Sequence, residues 1–350
     1  MKKVMFIVYS GSCGGAERVV SRLSEYLTNK NYECSIVIFS EKNDFFKNEN
    51  IKVISLKLNR KSSLRKFFSA TRQLRKVMKK NKPDTIVSFL DYQNICVVLA
   101  HAFLSSKLIV SERNDPMKRS CFIRKLCNIF YRRADRVVFQ SEYSKSCYPK
   151  SIQKKGIIIS NPLPCDMSIE YPYIGYDSDT IISVSRLSKQ KNIPLLIEAM
   201  LNTHKVFPSL KLKIFGAGEL KEEISNLINE RNASDFITLE GFSTSVCEEI
   251  SKSRLFVLSS DYEGVSNAML EALAIGIPVI STRTDGGATT YIHHKENGYL
   301  VEKGNVNELT QAMCELLSDK DTCKKLHDSS IVLNQELSIN SIGNLWETVL

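Results

Sequence analysis

Three short segments hold residues whose types and spacing suit chemistry on a phosphorylated, hydroxyl-rich ligand. The densest runs Ser259-Ser260-Asp261-Tyr262-Glu263-Gly264-Val265-Ser266-Asn267-Ala268-Met269-Leu270-Glu271-Ala272. Gly264 lets the backbone turn sharply, and Ser266 and Asn267 suit the start of a helix. Free N–H groups and the positive dipole end at such a start favour an anion. In a continuous helix, with 1.5 Å of rise per residue, Glu263 and Glu271 would stand on the order of 12 Å apart. That length suits an extended nucleotide sugar, because carboxylates accept well from sugar and ribose hydroxyls. A capped helix carrying two surface glutamates is the plainer reading of the same residues.

The second segment is Ser183-Val184-Ser185-Arg186-Leu187-Ser188-Lys189-Gln190-Lys191-Asn192. Arg186 offers a planar fork and Lys191 a mobile point charge. Together they can neutralise a diphosphate as charge develops on it, although an isolated pair of this kind also suits a solvated basic turn. The third is Tyr9-Ser10-Gly11-Ser12-Cys13-Gly14-Gly15-Ala16-Glu17, whose paired glycines can bring amides close to a phosphate or sugar. Its spacing does not meet the Gly-x-Gly-x-x-Gly dinucleotide fingerprint.

Each segment needs a strand to end before it and a helix to begin after it. Apolar runs at Val4–Tyr9, Ser35–Phe39, Thr85–Phe89, Leu108–Val110 and Arg136–Phe139 predict buried parallel strands. They alternate with amphipathic stretches at Ala16–Lys30, Ser63–Lys80, Tyr92–Leu104 and Ile123–Arg133. Strands are expected again at Thr180–Val184, Leu210–Phe215, Phe236–Leu239, Leu255–Leu258 and Pro278–Ile280. Such alternation implies parallel sheets with helices on both faces. Ser160-Asn161-Pro162-Leu163-Pro164 and Tyr171-Pro172-Tyr173 predict an extended linker. The expected domains are therefore residues 1–164 and 165–337, with a terminal helix over 338–350 that carries Trp346.

Composition bounds the class. The 43% hydrophobic and 25% charged fractions are those of a globular protein, and no apolar run is long enough for a membrane span. The run Val4–Tyr9 is short and leads into the glycine turn, so it reads as a first strand, not a cleaved leader. Ten cysteines lie scattered without a Cys-x-x-Cys pair, which favours reduced thiols in a cytosolic protein. The net charge of +10 is divided unevenly: residues 1–165 carry 32 Lys+Arg and 12 Asp+Glu, and residues 166–350 carry 16 and 26. The halves thus hold +20 and −10, which predicts different partners.

Taken in order, the segments resemble glycosyltransferase family four, retaining enzymes of the GT-B fold. The resemblance spans nearly the whole chain. It adds Phe215-Gly216-Ala217-Gly218, Gly241-Phe242, Gly276-Ile277-Pro278-Val279-Ile280, Asp285-Gly286-Gly287 and Asn297-Gly298-Tyr299-Leu300-Val301 to the three segments. It implies an α/β fold of two Rossmann-like doubly wound domains facing a cleft, an acceptor-side domain first and a nucleotide-sugar domain second. Arg186 and Lys191 would grip the donor diphosphate, Glu263 would hold the sugar and Glu271 the ribose. The amides of Gly264, Val265 and Ser266 would meet the diphosphate or sugar. Gly15 would approach the donor, and Gly216 and Gly218 would let the base-binding loop come close. The resemblance implies no cofactor and no bound metal, and no Asp-x-Asp doublet is placed to hold one.

Two departures stand out. Where many members have a histidine, this chain has Ser111-Glu112-Arg113-Asn114-Asp115-Pro116. That variant resembles bacterial surface-glycan transferases that use polyprenyl-diphosphate-linked acceptors, including N-acetylgalactosamine transferases. It makes Glu112, Arg113 and Asn114 candidates for the donor–acceptor junction, with a structural ion pair as the other reading. After the second Gly-Gly, Thr290 stands at the usual glutamate position.

The basic half also has an amphipathic character. Eleven Lys or Arg and no acid lie between Lys57 and Lys82, and seven with one acid lie between Lys118 and Arg136. Phe67, Phe68, Phe122 and Ile129 are interleaved. Such helices suit an anionic membrane surface, ordinary solvated domain faces or nucleic acid, in that order. The expectation is a cytoplasmic enzyme, peripheral at the inner face of the membrane, with a UDP-sugar donor and a lipid-linked glycan acceptor. A nucleotide-sugar 2-epimerase and an inert sugar-nucleotide-binding protein are the alternatives.

Overall fold

A computed structural model describes all of the 350-residue chain except Cys13 and residues 59–63. Ser63 and the basic residues Arg60 and Lys61 therefore lie outside the described residues. The chain divides into two compact units, Met1–Pro162 with Ile339–Leu350, and Leu163–Ser338.

The first unit is built on a seven-stranded sheet among the described residues. Its strands are β1 (Lys3–Val8), β2 (Glu33–Ile38), β3 (Lys52–Ser55), β4 (Thr85–Phe89), β5 (Lys107–Ser111), β6 (Arg136–Phe139) and β7 (Gly156–Ile158), in the order β3-β2-β1-β4-β5-β6-β7. All pairings are parallel. The chain winds outward from β1 to β3, then returns to β4 and winds the other way. This leaves a topological switch point between β1 and β4, and ligands of such sheets bind outside the carboxyl ends of the strands there. Helices α1 (Gly15–Asn29), α2 (Leu64–Asn81), α3 (Asp91–His101) and α4 (Cys121–Phe130) cover the sheet. Strand β4 is buried at all five positions, as a strand covered on both faces must be.

The terminal helix, Ile339–Val349, belongs to this unit. Trp346 is fully buried with its ring centroid 6.0 Å from that of Phe89. Gly343 allows the approach to α1, since a Cβ there would come within 2.4 Å of the Tyr26 ring. The Tyr26 hydroxyl donates to Asn344 at 2.7 Å.

The second unit has a six-stranded parallel sheet among the described residues. Its strands are β8 (Thr180–Val184), β9 (Lys211–Phe215), β10 (Ile237–Gly241), β11 (Leu255–Leu258), β12 (Val279–Thr282) and β13 (Tyr299–Val301). The order β10-β9-β8-β11-β12-β13 puts its switch point between β8 and β11. Each unit is thus a Rossmann-like doubly wound α/β sheet, the building block of the GT-B class.

The structure adds three strands to those expected, β3, β7 and β13. All are three or four residues long, and β3 and β7 are only partly buried, so they lack the fully buried run that marks the equally short β6 and β11. The linker is not extended throughout: Asp166 caps a helical turn, Met167–Glu170, accepting from the Ser168 amide at 3.2 Å. The helix expected over Ile123–Arg133 stops at Phe130 and tightens into a 3-10 turn, Tyr131–Arg133. No disulfide joins the nine described cysteines. Burial pushes Cys34 and Cys323 up to about 11 and Cys96 and Cys127 up to about 12. As neutral thiols they fill the interior as small apolar groups.

Candidate functional site

In the second unit the switch point gathers every candidate from the two richest segments. Arg186 and Lys191 follow β8, Gly216 and Gly218 follow β9, and Glu263 to Glu271 follow β11. Lys189–Lys191 form one 3-10 turn, which Asn192 ends in a left-handed conformation (φ 44°) that asparagine tolerates. The same Asn192 starts the next helix, Ile193–Val206, by accepting from the Leu195 amide at 3.4 Å.

Side chains and backbone fasten this turn to the loop after β11. Asn192 donates to Asp261 at 2.8 Å, and Ser259 donates to the Lys191 carbonyl at 2.9 Å. The Asp261 amide donates to the Gln190 carbonyl at 2.9 Å. Gln190 donates to the Tyr262 carbonyl at 2.8 Å and to Glu263 at 3.3 Å. Inside this frame Lys191 forms an ion pair with Glu263, which also accepts from Ser260 at 2.6 Å. Arg186 is exposed, so the site joins a largely buried cation–carboxylate pair to an open guanidinium.

The glycines act through crowding. A Cβ on Gly216, whose φ is +139°, would come within 1.8 Å of the Ser185 carbonyl oxygen. One on Gly218 would meet the Leu187 carbonyl oxygen at 2.1 Å. Both let the loop after β9 lie directly on the Arg186 loop. Gly287 closes the other side, where a Cβ would come within 2.8 Å of Glu263 Cβ and 2.7 Å of the Gly264 carbonyl oxygen.

Ser266 caps the helix Asn267–Ile275, accepting from the Met269 amide at 3.4 Å. Glu271 lies 1% exposed in that helix, with Cys247 Sγ at 3.9 Å. The sequence-based distance of 12 Å assumed helix from Glu263 onward. The helix starts only at Asn267, because Gly264 and the Ser266 cap break the preceding turn, so the rise applies to half the interval. Thr290 is exposed in the helical turn Ala288–Tyr291.

In the first unit Gly15 opens α1 beside a group the sequence reading passed over. Glu17 accepts from the Ser10 amide at 3.2 Å, and its Oε2 lies 2.3 Å from where a Gly14 Cβ would sit. A carboxylate 6% exposed already serves this helix start. It opposes an incoming anion, so the Gly-Gly turn suits a neutral hydroxylated group better than a phosphate.

Glu112 and Arg113 follow β5 and are buried, while Asn114 is exposed. Glu112 pairs with Arg119 and accepts from the Tyr148 hydroxyl, from the Tyr131 hydroxyl at 3.4 Å, and from the amides of Arg113 and Asn114 at 3.0 and 3.2 Å. Arg119 also pairs with Asp91 at 2.6 Å. Arg113 donates to Ser111 at 2.7 Å and Asn161 at 2.6 Å, and lies 5.1 Å from the Phe89 ring centroid. One cation between two carboxylates leaves Asp91 disfavoured as an anion. Its burial, then the Glu112 charge, raise its pKa from 3.8 to about 6. Asp91, Arg119 and Asn161 were missed because each is unremarkable in its own stretch of sequence. Only the position of Asp91 one residue after the apolar run Thr85–Leu90 carried a signal.

Residues 13–166 match a family described as Glycosyltransferase Family 4, and residues 174–331 match Glycosyl transferases group 1. Two Campylobacter jejuni proteins are similar over most of the chain. One, a GalNAc-alpha-(1->4)-GalNAc-alpha-(1->3)-diNAcBac-PP-undecaprenol alpha-1,4-N-acetyl-D-galactosaminyltransferase, is 28% identical over 99% of this chain and 97% of its own. The other, an N-acetylgalactosamine-N,N'-diacetylbacillosaminyl-diphospho-undecaprenol 4-alpha-N-acetylgalactosaminyltransferase, is 29% identical over 91% of each. The crystal structure of Anabaena Alr3699/HepE in complex with UDP and glucose superimposes with a TM-score of 0.83 at 18% identity, covering 100% of this chain and 99% of that one. At that identity the likeness speaks for the GT-B fold.

Proposed function

The chain belongs to glycosyltransferase family four and is a glycosyltransferase, and on that premise we propose that it moves a hexose or N-acetylhexosamine from a UDP-sugar, with retention, to a polyprenyl-diphosphate-linked glycan. The observation that carries the reading is the Lys191–Glu263 pair, held at the switch point of the second unit beside an open Arg186. A diphosphate leaving group gathers negative charge as its bond to the sugar carbon breaks. Arg186 and Lys191 stabilise that charge, most strongly in the transition state. Glu263 accepts from a sugar hydroxyl once Lys191 turns to the phosphate. Glu271 serves the ribose, and the amides of Gly264, Val265 and Ser266 meet the diphosphate or sugar. The acceptor oxygen bonds to the sugar carbon on the face the diphosphate leaves, and its proton passes to the departing phosphate oxygen. No metal or cofactor is required by this scheme.

The acceptor class rests on the two Campylobacter relatives and on the outer faces of the first unit. Phe68 on α2 and Phe122 and Ile129 on α4 are 67%, 69% and 56% exposed. Arg65, Arg72, Lys125, Arg132 and Arg133 are exposed around them. Apolar side chains set among cations suit insertion at an anionic lipid surface. Among the described residues no helix is long and apolar enough to cross a membrane. The reading is a peripheral enzyme at the cytoplasmic face.

The test is turnover. Incubation with a panel of UDP- and GDP-sugars and a polyprenyl-diphosphate-linked N-acetylgalactosamine should yield an elongated lipid from a UDP-sugar, with the donor's α configuration kept in the product. Formation of a free epimer, or no transfer from any donor, refutes it.

A further inference from the structure

The Glu112 cluster has two halves that differ in exposure. The inner half is closed: the Glu112 side chain is 0% exposed and that of Arg119 6%. The hydroxyls of Tyr131 and Tyr148 and the amides of Arg113 and Asn114 occupy the Glu112 carboxylate. With both oxygens of its carboxylate taken by these donors and Arg119, Glu112 has no acceptor site left for a substrate. The outer half is open: the Asp91 side chain is 20% exposed, Asn114 is exposed, and Asn114 Nδ2 lies 3.5 Å from Asp91 Oδ1.

These two groups sit at the edge where a ligand is expected. Asp91 opens α3 directly after β4, on one side of the switch point, and the Ser10–Gly15 turn follows β1 on the other. An adjacent amide donor and carboxylate acceptor match a sugar hydroxyl, which both accepts and donates.

Resting on the glycosyltransferase reading above, we propose that Asp91 and Asn114 together bind a hydroxyl of the acceptor sugar, with Glu112 and Arg119 as the positioning residues that hold them. Glu112 fixes the Asn114 backbone through its amide, and Arg119 fixes the Asp91 carboxylate. This divides the Glu112–Asn114 segment: its first residue is scaffold and its last is contact.

The binding form of Asp91 is the carboxylate. The groups around it are Glu112 and Asn114 after β5, Arg119 before α4, and Tyr131, Tyr148 and Cys127 behind them. The tyrosines and the thiol stay neutral, because burial holds them above their ordinary values. Asp91 therefore gains its charge across the region of pH 6. Because its folded pKa lies above the ordinary 3.8, the folded state binds the extra proton between about pH 4 and pH 6. The contribution of Asp91 to stability is fully present below pH 4 and is lost as pH rises through 6. Asparagine in its place removes that loss.

The experiment uses the full chain, UDP-N-acetylgalactosamine and a polyprenyl-diphosphate-linked N-acetylgalactosamine. Asp91→Asn should lower kcat/KM for the acceptor about 10- to 100-fold at pH 7.5, as expected for a lost charged hydrogen bond. Asn114→Ala should lower it about 3- to 10-fold, as for a neutral one. Both should leave UDP affinity and acceptor-independent donor hydrolysis at wild-type values. The fall in wild-type acceptor kcat/KM below pH 6 should vanish in Asp91→Asn, which should also melt higher than wild type at pH 7.5 but not at pH 4. Asn114 is exposed, so its variant decides the matter if Asp91→Asn does not fold. Wild-type acceptor kcat/KM in either folded variant overturns the proposal, as does a parallel loss of UDP affinity. Absence of transfer by the wild-type chain instead refutes the functional reading beneath it.

Discussion

The two units carry charge at strand ends around their switch points and treat it differently. In the second unit, Arg186 stands open beside the Lys191–Glu263 pair at the β8–β11 switch point. In the first unit, the β1–β4 switch point is backed by Arg119, Glu112 and two tyrosines that satisfy one another out of water. Open charge is available to a ligand that arrives with charge of its own. Closed charge is already matched and acts by holding its neighbours still. A diphosphate needs the first arrangement, whereas a neutral sugar hydroxyl needs only well-placed donors and acceptors.

The contrast can be broken by exchanging what is measured on each side. Arg119→Leu leaves two carboxylates facing each other without a cation. It should destabilise the first unit by about 3–5 kcal/mol, as removal of one partner of a buried pair does, read as a lower urea midpoint. A small stability change would mean that the cluster is not closed. Lys191→Ala should cost about 10²- to 10³-fold in transfer, with Arg186→Ala close behind, because each removes charge stabilisation from the departing diphosphate. Ser260 and Gln190 still donate to Glu263 in the lysine variant, so its melting temperature should fall less than that of Arg119→Leu. Near-normal turnover in both variants would remove the open site from the mechanism.

The outer surface of the first unit should show a smaller effect. Liposomes containing phosphatidylglycerol should bind the chain at low salt and release it as salt rises, at roughly 1 kcal/mol per basic side chain near the surface. Phe122→Ser and Ile129→Ser should weaken this binding severalfold without changing donor affinity. Equal binding to neutral and anionic liposomes would discard the membrane reading.

The second unit's candidate residues were legible in the sequence because they are local to one another. Arg186 and Lys191 share one turn, and Glu263, Ser266 and Glu271 share one loop and helix start. The family resemblance then ordered the segments. Strands β4, β6, β8 and β11 have the ends the sequence predicts, since short runs dominated by apolar residues between turn signals specify a buried strand. The edge strand β3 was not legible, being four residues of intermediate or full exposure.

What the sequence determined by itself was the alternation of strand and helix, the charge asymmetry of the two halves and the grouping of candidate residues into short segments after strand ends. These are set by periodicity, composition and short-range turn chemistry. Tertiary structure alone decided that Lys191 meets Glu263, 72 positions along the chain, and that Asp91, Glu112, Arg119, Tyr131 and Tyr148 form one cluster. It also decided which member of Glu112–Asn114 remains open. Burial and pairing depend on which strand ends a sheet order brings together, and no local pattern encodes that order.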